Sequence, residues 1–543
     1  MDKELSLETF KRVLGFGEAA RAMVQLGVPG PRELVVWCAP KYRAGELHVE
    51  LEPTSTLRPQ RVVVRRHREP LAARVGLEGL EPDTEYRFEL YVNGEPVRVR
   101  AKTAPSADAA SPFSFLAFSC LAPFPDRIPE SDDNRSTPPL LEELKQVASR
   151  ADAPPSFGLG LGDQVYVDDG VFQLLKPPAD KSLLGGFRSE SIRYDGAARD
   201  FFEVLYRSHL SYPGVGDALS VMPSALMWDD HEIRDGWGSH GDERELLQQA
   251  EWRSHLRAAR RSFVGYQALR NPALGANADS ELPTDGTLGK ELHFSFDWGA
   301  LATFFVMDLR SQRTPAQVIS DEQLAAVERW LSSSRRSSGR LYVLATPIPL
   351  TLPVWPRWSP ARWFLSRSDD AGDQWWSDGL RRQGTELRRL LAAHFRAHPR
   401  DRLLVLSGDV HYSEARQISL PGQGPIGHEV VSSGLAQSSF HTYLAKVRVI
   451  EDLFPSFVDD EMTSTSLGRY HGASFAELGV FPGLPEGPPR VSVRFYHGNE
   501  AHDRHAITRN GSWELPYEPA RIQRPALSVR GSHAQHVEQA SER

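Results

Sequence analysis

Four short polar motifs each follow a run of apolar residues of strand length, and together they carry side chains that bind metal ions. The side chains are carboxylates, a phenol, a thiol and an imidazole, which become good ligands when a cation displaces their protons. Several carboxylates together favour a hard cation. In chain order the motifs are Phe118-Ser119-Cys120, Gly162-Asp163-Gln164-Val165-Tyr166, Trp228-Asp229-Asp230-His231-Glu232 and Ser407-Gly408-Asp409-Val410-His411.

The runs before these motifs are apolar throughout rather than alternating, which is the pattern of strands covered on both faces. They span residues 113–119, 157–161, 225–228 and 403–406. Further runs that end in polar residues span 301–307, 341–345 and 429–431. Open α/β sheets bind ligands outside the carboxyl ends of their parallel strands. We therefore predict one large sheet whose strands present the motifs at one edge.

Between the strands, apolar residues recur at helical spacing, and alternating strands and helices are typical of βαβ units. Ser320-Asp321-Glu322-Gln323 has the form of a capping box that opens a helix. Two more helices are indicated by Leu140, Leu141, Leu144 and Val147, and by Leu387, Leu390, Leu391 and His394. Because His394 lies on the apolar face of its predicted helix, we interpret it as a structural histidine.

Residues 32–103 form a series of short β segments separated by Pro and Gly, which predicts a small sandwich. Within it, residues 77–88 resemble the corner of fibronectin type III-like domains, where the Tyr86 hydroxyl would bind back to the preceding turn. The predicted organisation is an N-terminal extension (1–29), this β-sandwich (30–106), a larger α/β domain (111–517) and a polar C-terminal tail (518–543).

Composition excludes several classes of protein. With 543 residues, 40% of them hydrophobic and 25% charged, the chain is globular and has more than one domain. A net charge of −8 provides no basic field, so nucleic acid is not expected as an obligate partner. Cys38 and Cys120 are the two cysteines, and both are expected to be reduced. We find no export signal and no membrane span, and we therefore expect a cytoplasmic location. The sequence does not indicate the oligomeric state.

The ordered motif set resembles that of the alkaline phosphatase D, or PhoD-like, branch of the calcineurin-like metallophosphoesterases. That family has a strand ending in Ser-Cys, then Gly-Asp-x-x-Tyr, Asp-Asp-His-Glu, Asp-x-Arg and Gly-Asp-x-His, and every motif is present in residues 111–517. The resemblance implies a metallophosphoesterase-type α/β sandwich preceded by a fibronectin type III-like domain.

The resemblance also implies a two-metal centre bridged by Asp163. One ion would be bound by Cys120, Tyr166 and His411 in addition to Asp163. The other would be bound by Asp230 and Asp409. Asp229 is either a ligand or a partner of the ligands. Phenolate and thiolate suit iron(III), whereas carboxylates suit calcium, manganese or magnesium. We therefore expect two or more metal ions, with iron(III) at one position and calcium, manganese or another divalent cation at the other.

The implied activity is hydrolysis of small phosphoric esters. A metal-bound hydroxide would attack phosphorus, and His231 would assist the leaving oxygen. Whether monoesters or diesters are preferred is open, because the same attack serves both.

Three positions leave alternatives open. Many family members continue Asp-Asp-His-Glu with an Asn-Asn pair, but here the residues are Asp235 and Gly236. Asp235 is either an extra metal ligand or a turn residue. Arg310 and Arg234 would each bind a phosphoryl oxygen or form an internal salt bridge.

Two other functions compete with this prediction. The segment from His231 to Asp235 is a weak variant of the zinc-protease helix motif, but that interpretation leaves Cys120 and Asp163 unexplained. A non-catalytic, metal-containing binding protein could instead use the β-sandwich to dock a partner. A second metal site at His497, His502 and His505 is disfavoured because the spacing fits no compact ligand motif, and we place this cluster on a surface loop.

Overall fold

The computed structural model describes residues 22–40, 46–51, 60–65, 72–122, 139–167, 198–239, 243–272, 288–333, 339–352, 373–436, 456–470, 473–483, 487–498 and 507–514, apart from positions 200, 204, 208, 211, 213, 247, 376 and 378. The predicted C-terminal tail (518–543) lies outside the described residues. So does the predicted N-terminal extension, except for residues 22–29.

The N-terminal region is built from two antiparallel sheets that share one hydrophobic cluster. Its strands are β1 (Met23–Leu26), β2 (Glu33–Ala39), β3 (Glu46–Leu51), β4 (Gln60–Arg65), β5 (Ala73–Glu78), β6 (Glu85–Val92) and β7 (Glu95–Lys102). The sheet orders are β1-β2-β5 and β4-β3-β6-β7. The Tyr86 hydroxyl accepts the backbone N–H of Glu81 at 2.8 Å, so the predicted tie to the preceding turn is present. Its fibronectin type III-like character stays a prediction.

The remaining described strands form two mixed sheets. In chain order they are β8 (Phe113–Phe118), β9 (Gly158–Leu161), β10 (Ser224–Met227), β11 (Phe294–Trp298), β12 (Ala302–Val306), β13 (Leu341–Ala345), β14 (Arg402–Ser407), β15 (Ser413–Leu420), β16 (Gly424–Val431), β17 (Ser456–Val458), β18 (Thr463–Tyr470), β19 (Ser474–Phe481), β20 (Arg490–Gly498) and β21 (Ile507–Glu514). The sheet orders are β10-β9-β8-β19-β20-β21 and β11-β12-β13-β14-β16-β15-β18-β17. Strands β8, β9 and β10 run parallel, as do β12, β13, β14 and β16.

The described helices are α1 (Pro139–Ala148), α2 (Val215–Val221), α3 (Glu243–Leu246), α4 (Ala250–Tyr266), α5 (Asp321–Ser333) and α6 (Arg381–Ala397), with a 3₁₀ turn at Ala268–Arg270. The three predicted helices are confirmed as α1, α5 and α6. Ser320 caps α5 by accepting the backbone N–H of Gln323 at 3.1 Å. His394 of α6 bonds Asp401 at 3.2 Å, as a structural histidine would. No described helix is both long enough and apolar enough to cross a bilayer.

The two mixed sheets pack face to face, and helices cover their outer faces. Side chains of β8 and β9 share one core with those of β12, β13 and β14. Helix α1 packs on the six-stranded sheet, and α5 and α6 pack on the eight-stranded sheet. The prediction of one large sheet was therefore wrong, because the motif strands are divided between two sheets. The carboxyl ends of β8 and β14 nevertheless lie close together, although the two strands belong to different sheets. A Cβ atom placed on Gly408, after β14, would lie 2.6 Å from the hydroxyl of Ser119, after β8.

Candidate metal centre

Strained backbone marks the place where the motifs converge. Four predicted ligands have a positive φ, namely Cys120 (54°), Asp163 (54°), Asp409 (67°) and His411 (54°). This conformation is uncommon for residues other than glycine and persists only where the surroundings impose it, often at functional sites. The four residues follow three different strands, β8, β9 and β14. The turns at these strand ends are thus held in conformations that a relaxed loop would not adopt.

Four carboxylates from three motifs form the centre of the site. Oxygen atoms of Asp163, Asp229, Asp230 and Asp409 all lie within 4.8 Å of one another. Burial and nearby negative charge raise the pKa of Asp163 well above its usual value, and burial with Asp373 raises that of Asp409 to about 7. Because carboxylates this close repel when ionised, the group favours either shared protons or a bound cation.

The thiol of Cys120 and the phenol of Tyr166 both contact the same carboxylate oxygen of Asp163. Cys120 Sγ and the Tyr166 hydroxyl are each 3.5 Å from Asp163 Oδ2. Burial raises the pKa of both groups, so each is protonated unless a metal displaces its proton. Ser433 Oγ lies 3.1 Å from Cys120 Sγ and accepts the backbone N–H of His411 at 2.9 Å. Cys120 and Tyr166 are therefore brought together beside Asp163, and the backbone of His411 is tied to the same place through Ser433.

Two buried oxygens in this group, Asp163 Oδ1 and Asp229 Oδ2, have no hydrogen-bond partner among the described residues. An unpaired carboxylate oxygen is costly to bury, and a cation would remove that cost. The residues present therefore fit a metal centre. Asp229 remains open between its two interpretations, because its other oxygen accepts a hydrogen bond from Arg310.

Arg310 is fully buried and faces protein carboxylates. It donates to both oxygens of Asp373 at 2.8 and 2.6 Å, and one nitrogen lies 3.4 Å from Asp230. Burial would raise the pKa of Asp230, but Arg310 and then His231 outweigh burial and hold that pKa below its usual value. This environment favours the internal salt bridge over phosphoryl binding for Arg310.

His231 lies at the open side of the site. Its side chain is 19% exposed, and its ring stacks on that of Tyr166 with centroids 4.2 Å apart. Its Nε2 is 3.9 Å from Asp235 Oδ1, and the Asp235 side chain is 56% exposed. Among the described residues, clustered ligand atoms form the four-aspartate group and a second group of Asp163, Asp230 and His231. Asp235 belongs to neither, which favours its interpretation as a turn residue.

A sequence model described as PhoD-like phosphatase matches residues 144–465, which is more than half of the chain. The chain belongs to the PhoD-like phosphatase family. The fold agrees with the solved structure of PhoD, with a TM-score of 0.60, 17% identity and 92% of each chain covered. It also resembles purple acid phosphatase PPD1 from yellow lupin (Lupinus luteus) seeds, with a TM-score of 0.50, 13% identity, and 91% of this chain and 74% of that chain covered. Curated proteins gave no significant match.

As a PhoD-like phosphatase, the protein is a hydrolase of phosphoric esters. The structural matches, at these low identities, support the fold alone. Residues 231–235 form turns rather than a helix, so the zinc-protease interpretation is wrong. His497 lies in β20 and is buried, so its placement on a surface loop was also wrong, while His502 and His505 lie outside the described residues.

In this PhoD-like phosphatase, two tryptophans near the site and the predicted phosphoryl-binding residue Arg234 make packing contacts. Trp228 and Trp237 are buried, and Trp228 stacks on Phe263 with centroids 4.7 Å apart. Arg234 is half-buried, with its guanidinium 5.4 Å from the centre of the Trp252 ring. That contact favours a structural role for Arg234.

Glu232 supports the site, although the sequence assigned it no role. Its buried carboxylate accepts the backbone N–H groups of Gln164 (2.6 Å), Asp229 (2.9 Å) and Asp163 (3.1 Å). Burial raises its pKa to about 7, against the effect of these hydrogen bonds. The same group therefore ties the loop after β9 to the loop after β10. The sequence signal for this role was that Glu232 is an acidic residue within the motif that carries Asp229 and Asp230.

Proposed function

We propose that this PhoD-like phosphatase is a metal-dependent hydrolase of small phosphoesters in which His231 serves the leaving group. The observation that carries the proposal is the convergence of Asp163, Asp229, Asp230 and Asp409 beside a partly exposed His231. Two buried carboxylate oxygens in that group, which have no partner within the described ranges, support it further.

Asp163 is proposed to bridge two ions, because it lies between the Cys120 and Tyr166 side and the other carboxylates. Cys120, Tyr166 and His411 would hold one ion, for which iron(III) is the best match to phenolate and thiolate. Asp230 and Asp409 would hold a divalent cation such as calcium or manganese. When bound, such ions neutralise phosphoryl oxygens and lower the pKa of a coordinated water.

His231 is proposed to donate a proton to the leaving oxygen. Stacking on Tyr166 restricts the ring, and the backbone carbonyl of His231 accepts the N–H of Val167 at 2.9 Å, so the segment after β9 holds both the ring and the backbone of His231. A general acid that protonates a leaving group typically increases the rate by about 10²- to 10⁴-fold. Its partial exposure leaves room for a substrate, whereas Asp163 and Cys120 behind it are buried.

A non-catalytic docking role is not favoured, because four aspartates and His231 converge at one place in the fold. The preference between monoesters and diesters depends on the shape of the substrate pocket. We therefore leave both within the proposal.

The test combines elemental analysis of the purified protein with hydrolysis of nitrophenyl phosphate and bis-nitrophenyl phosphate, each with and without chelator. We expect bound metal and turnover that chelator abolishes and added metal restores. Equal turnover by protein shown to be free of metal would overturn the proposal. Inactivity after reconstitution with iron and calcium or manganese would overturn it too.

A further inference from the structure

Gln374 reaches the acidic group from a segment that the sequence motifs do not include. Its amide nitrogen donates to Asp409 Oδ2 at 3.0 Å. Its side chain is buried, with 7% of the residue exposed. The amide oxygen, Oε1, is buried and has no hydrogen-bond partner in the part of the chain that the structure describes. Because this oxygen is bonded to the same carbon as the nitrogen that contacts Asp409, it lies beside the carboxylate cluster.

The neighbouring residue anchors this segment. Both carboxylate oxygens of Asp373 are engaged by Arg310, and Arg313 donates to Asp373 Oδ1 and to its backbone carbonyl, each at 2.6 Å. Trp375, on the other side, is buried. Asp373 is thus paired with the guanidinium groups of Arg310 and Arg313. Gln374, next to it in the chain, is held in place, and its Oε1 has no partner among the described residues.

An unpaired amide oxygen is unfavourable in a buried site unless something fills its lone pairs. Side-chain carbonyl oxygens of Asn and Gln are regular ligands of hard divalent cations. We propose that Gln374 is a ligand of the divalent cation held by Asp409, contributing a neutral oxygen to a group of carboxylates. This inference rests on the proposed function, since it assigns a further ligand to the same centre.

Two variants separate the amide oxygen from the amide nitrogen. Gln374→Glu keeps an oxygen at the same distance along the side chain and removes the N–H that Asp409 accepts. Gln374→Leu removes both groups at similar volume. If the oxygen binds the cation, the Glu variant retains affinity and the Leu variant loses it. If the residue acts solely by donating to Asp409, both variants lose affinity.

The experiment is a calorimetric titration of the metal-depleted full-length chain with Mn²⁺ alone and, separately, with Ca²⁺ alone. We expect Gln374→Leu to bind about 10- to 100-fold more weakly than wild type and Gln374→Glu to bind at least as tightly as wild type. Thermal unfolding of the metal-depleted variants shows whether each is folded.

Wild-type affinity in Gln374→Leu would overturn the inference. So would equal weakening in the Leu and Glu variants, which would limit Gln374 to positioning Asp409. If the wild-type chain binds neither cation and its turnover does not depend on metal, the proposed function itself fails. Wild-type binding together with an unaffected Leu variant removes the Gln374 assignment alone.

Discussion

The carboxylate of Glu232 accepts the backbone N–H of Gln164 at 2.6 Å, although the two residues follow different strands. The same carboxylate also accepts the N–H groups of Asp163 and Asp229, so one side chain sets the relative position of two ligand loops. This contact explains how a positive φ at Asp163 is maintained.

Glu232→Gln should therefore loosen the site without removing any ligand. The variant amide has one oxygen and an NH₂ group that faces N–H donors, so several buried donors lose their acceptor. We expect a loss of about 3 kcal/mol in the free energy of unfolding and reduced metal content, measured by denaturant titration and elemental analysis. The exposed Glu245→Gln is the control. Unchanged stability and metal content in Glu232→Gln would contradict this role.

Arg310→Met tests whether Arg310 is structural. The guanidinium is paired with Asp229 and Asp373 in a fully buried position, so its removal leaves uncompensated charges. We expect a loss of about 3–5 kcal/mol in the free energy of unfolding. A variant of wild-type stability with a raised KM for phosphoester would instead indicate phosphoryl binding.

His231→Gln should preserve metal content and lower kcat by about 10²- to 10⁴-fold, because the proposed proton donor is lost while the ligands remain. Elemental analysis and steady-state kinetics on the same sample measure both quantities. Asp235→Asn, at an exposed carboxylate nearby, is the matched control and should keep kcat within about threefold. Unaltered turnover in His231→Gln would remove its catalytic role.

Acid should destabilise the protein through His497. Burial lowers the pKa of this histidine to about 4. An unfolded histidine titrates near 6.5, so between about pH 6.5 and 4 the unfolded state binds more protons and stability falls as pH falls. The contribution is up to about 3 kcal/mol. His497→Phe should flatten this part of the stability–pH curve, measured by denaturant titration at each pH. An identical slope in the variant would contradict the assignment.

Much of the fold could be predicted from local pattern. Strands such as β8 and β13 are covered on both faces, so continuous apolar runs mark them, and polar residues mark their ends. The division into two sheets could not be predicted, because strand pairing is a long-range property that the local pattern does not encode. β8, for example, pairs with β19, more than three hundred residues later in the chain.

The site was predictable where its residues form motifs. Gln374 follows no apolar strand run, and its partner Asp409 comes from another segment. Arg310 could be recognised as part of a motif, but its burial, which decides between salt bridge and phosphoryl binding, depends on residues far away in sequence such as Asp373.

We expect hydrolysis to depend on a metal centre that Asp163 holds. The most direct test measures metal content and phosphoester hydrolysis in wild type and Asp163→Asn, prepared in parallel. We predict that wild type contains metal and is active, and that the variant loses metal from both positions and loses turnover. A folded Asp163→Asn protein that retains full metal content and wild-type turnover would show that Asp163 is not essential to the metal centre or to hydrolysis.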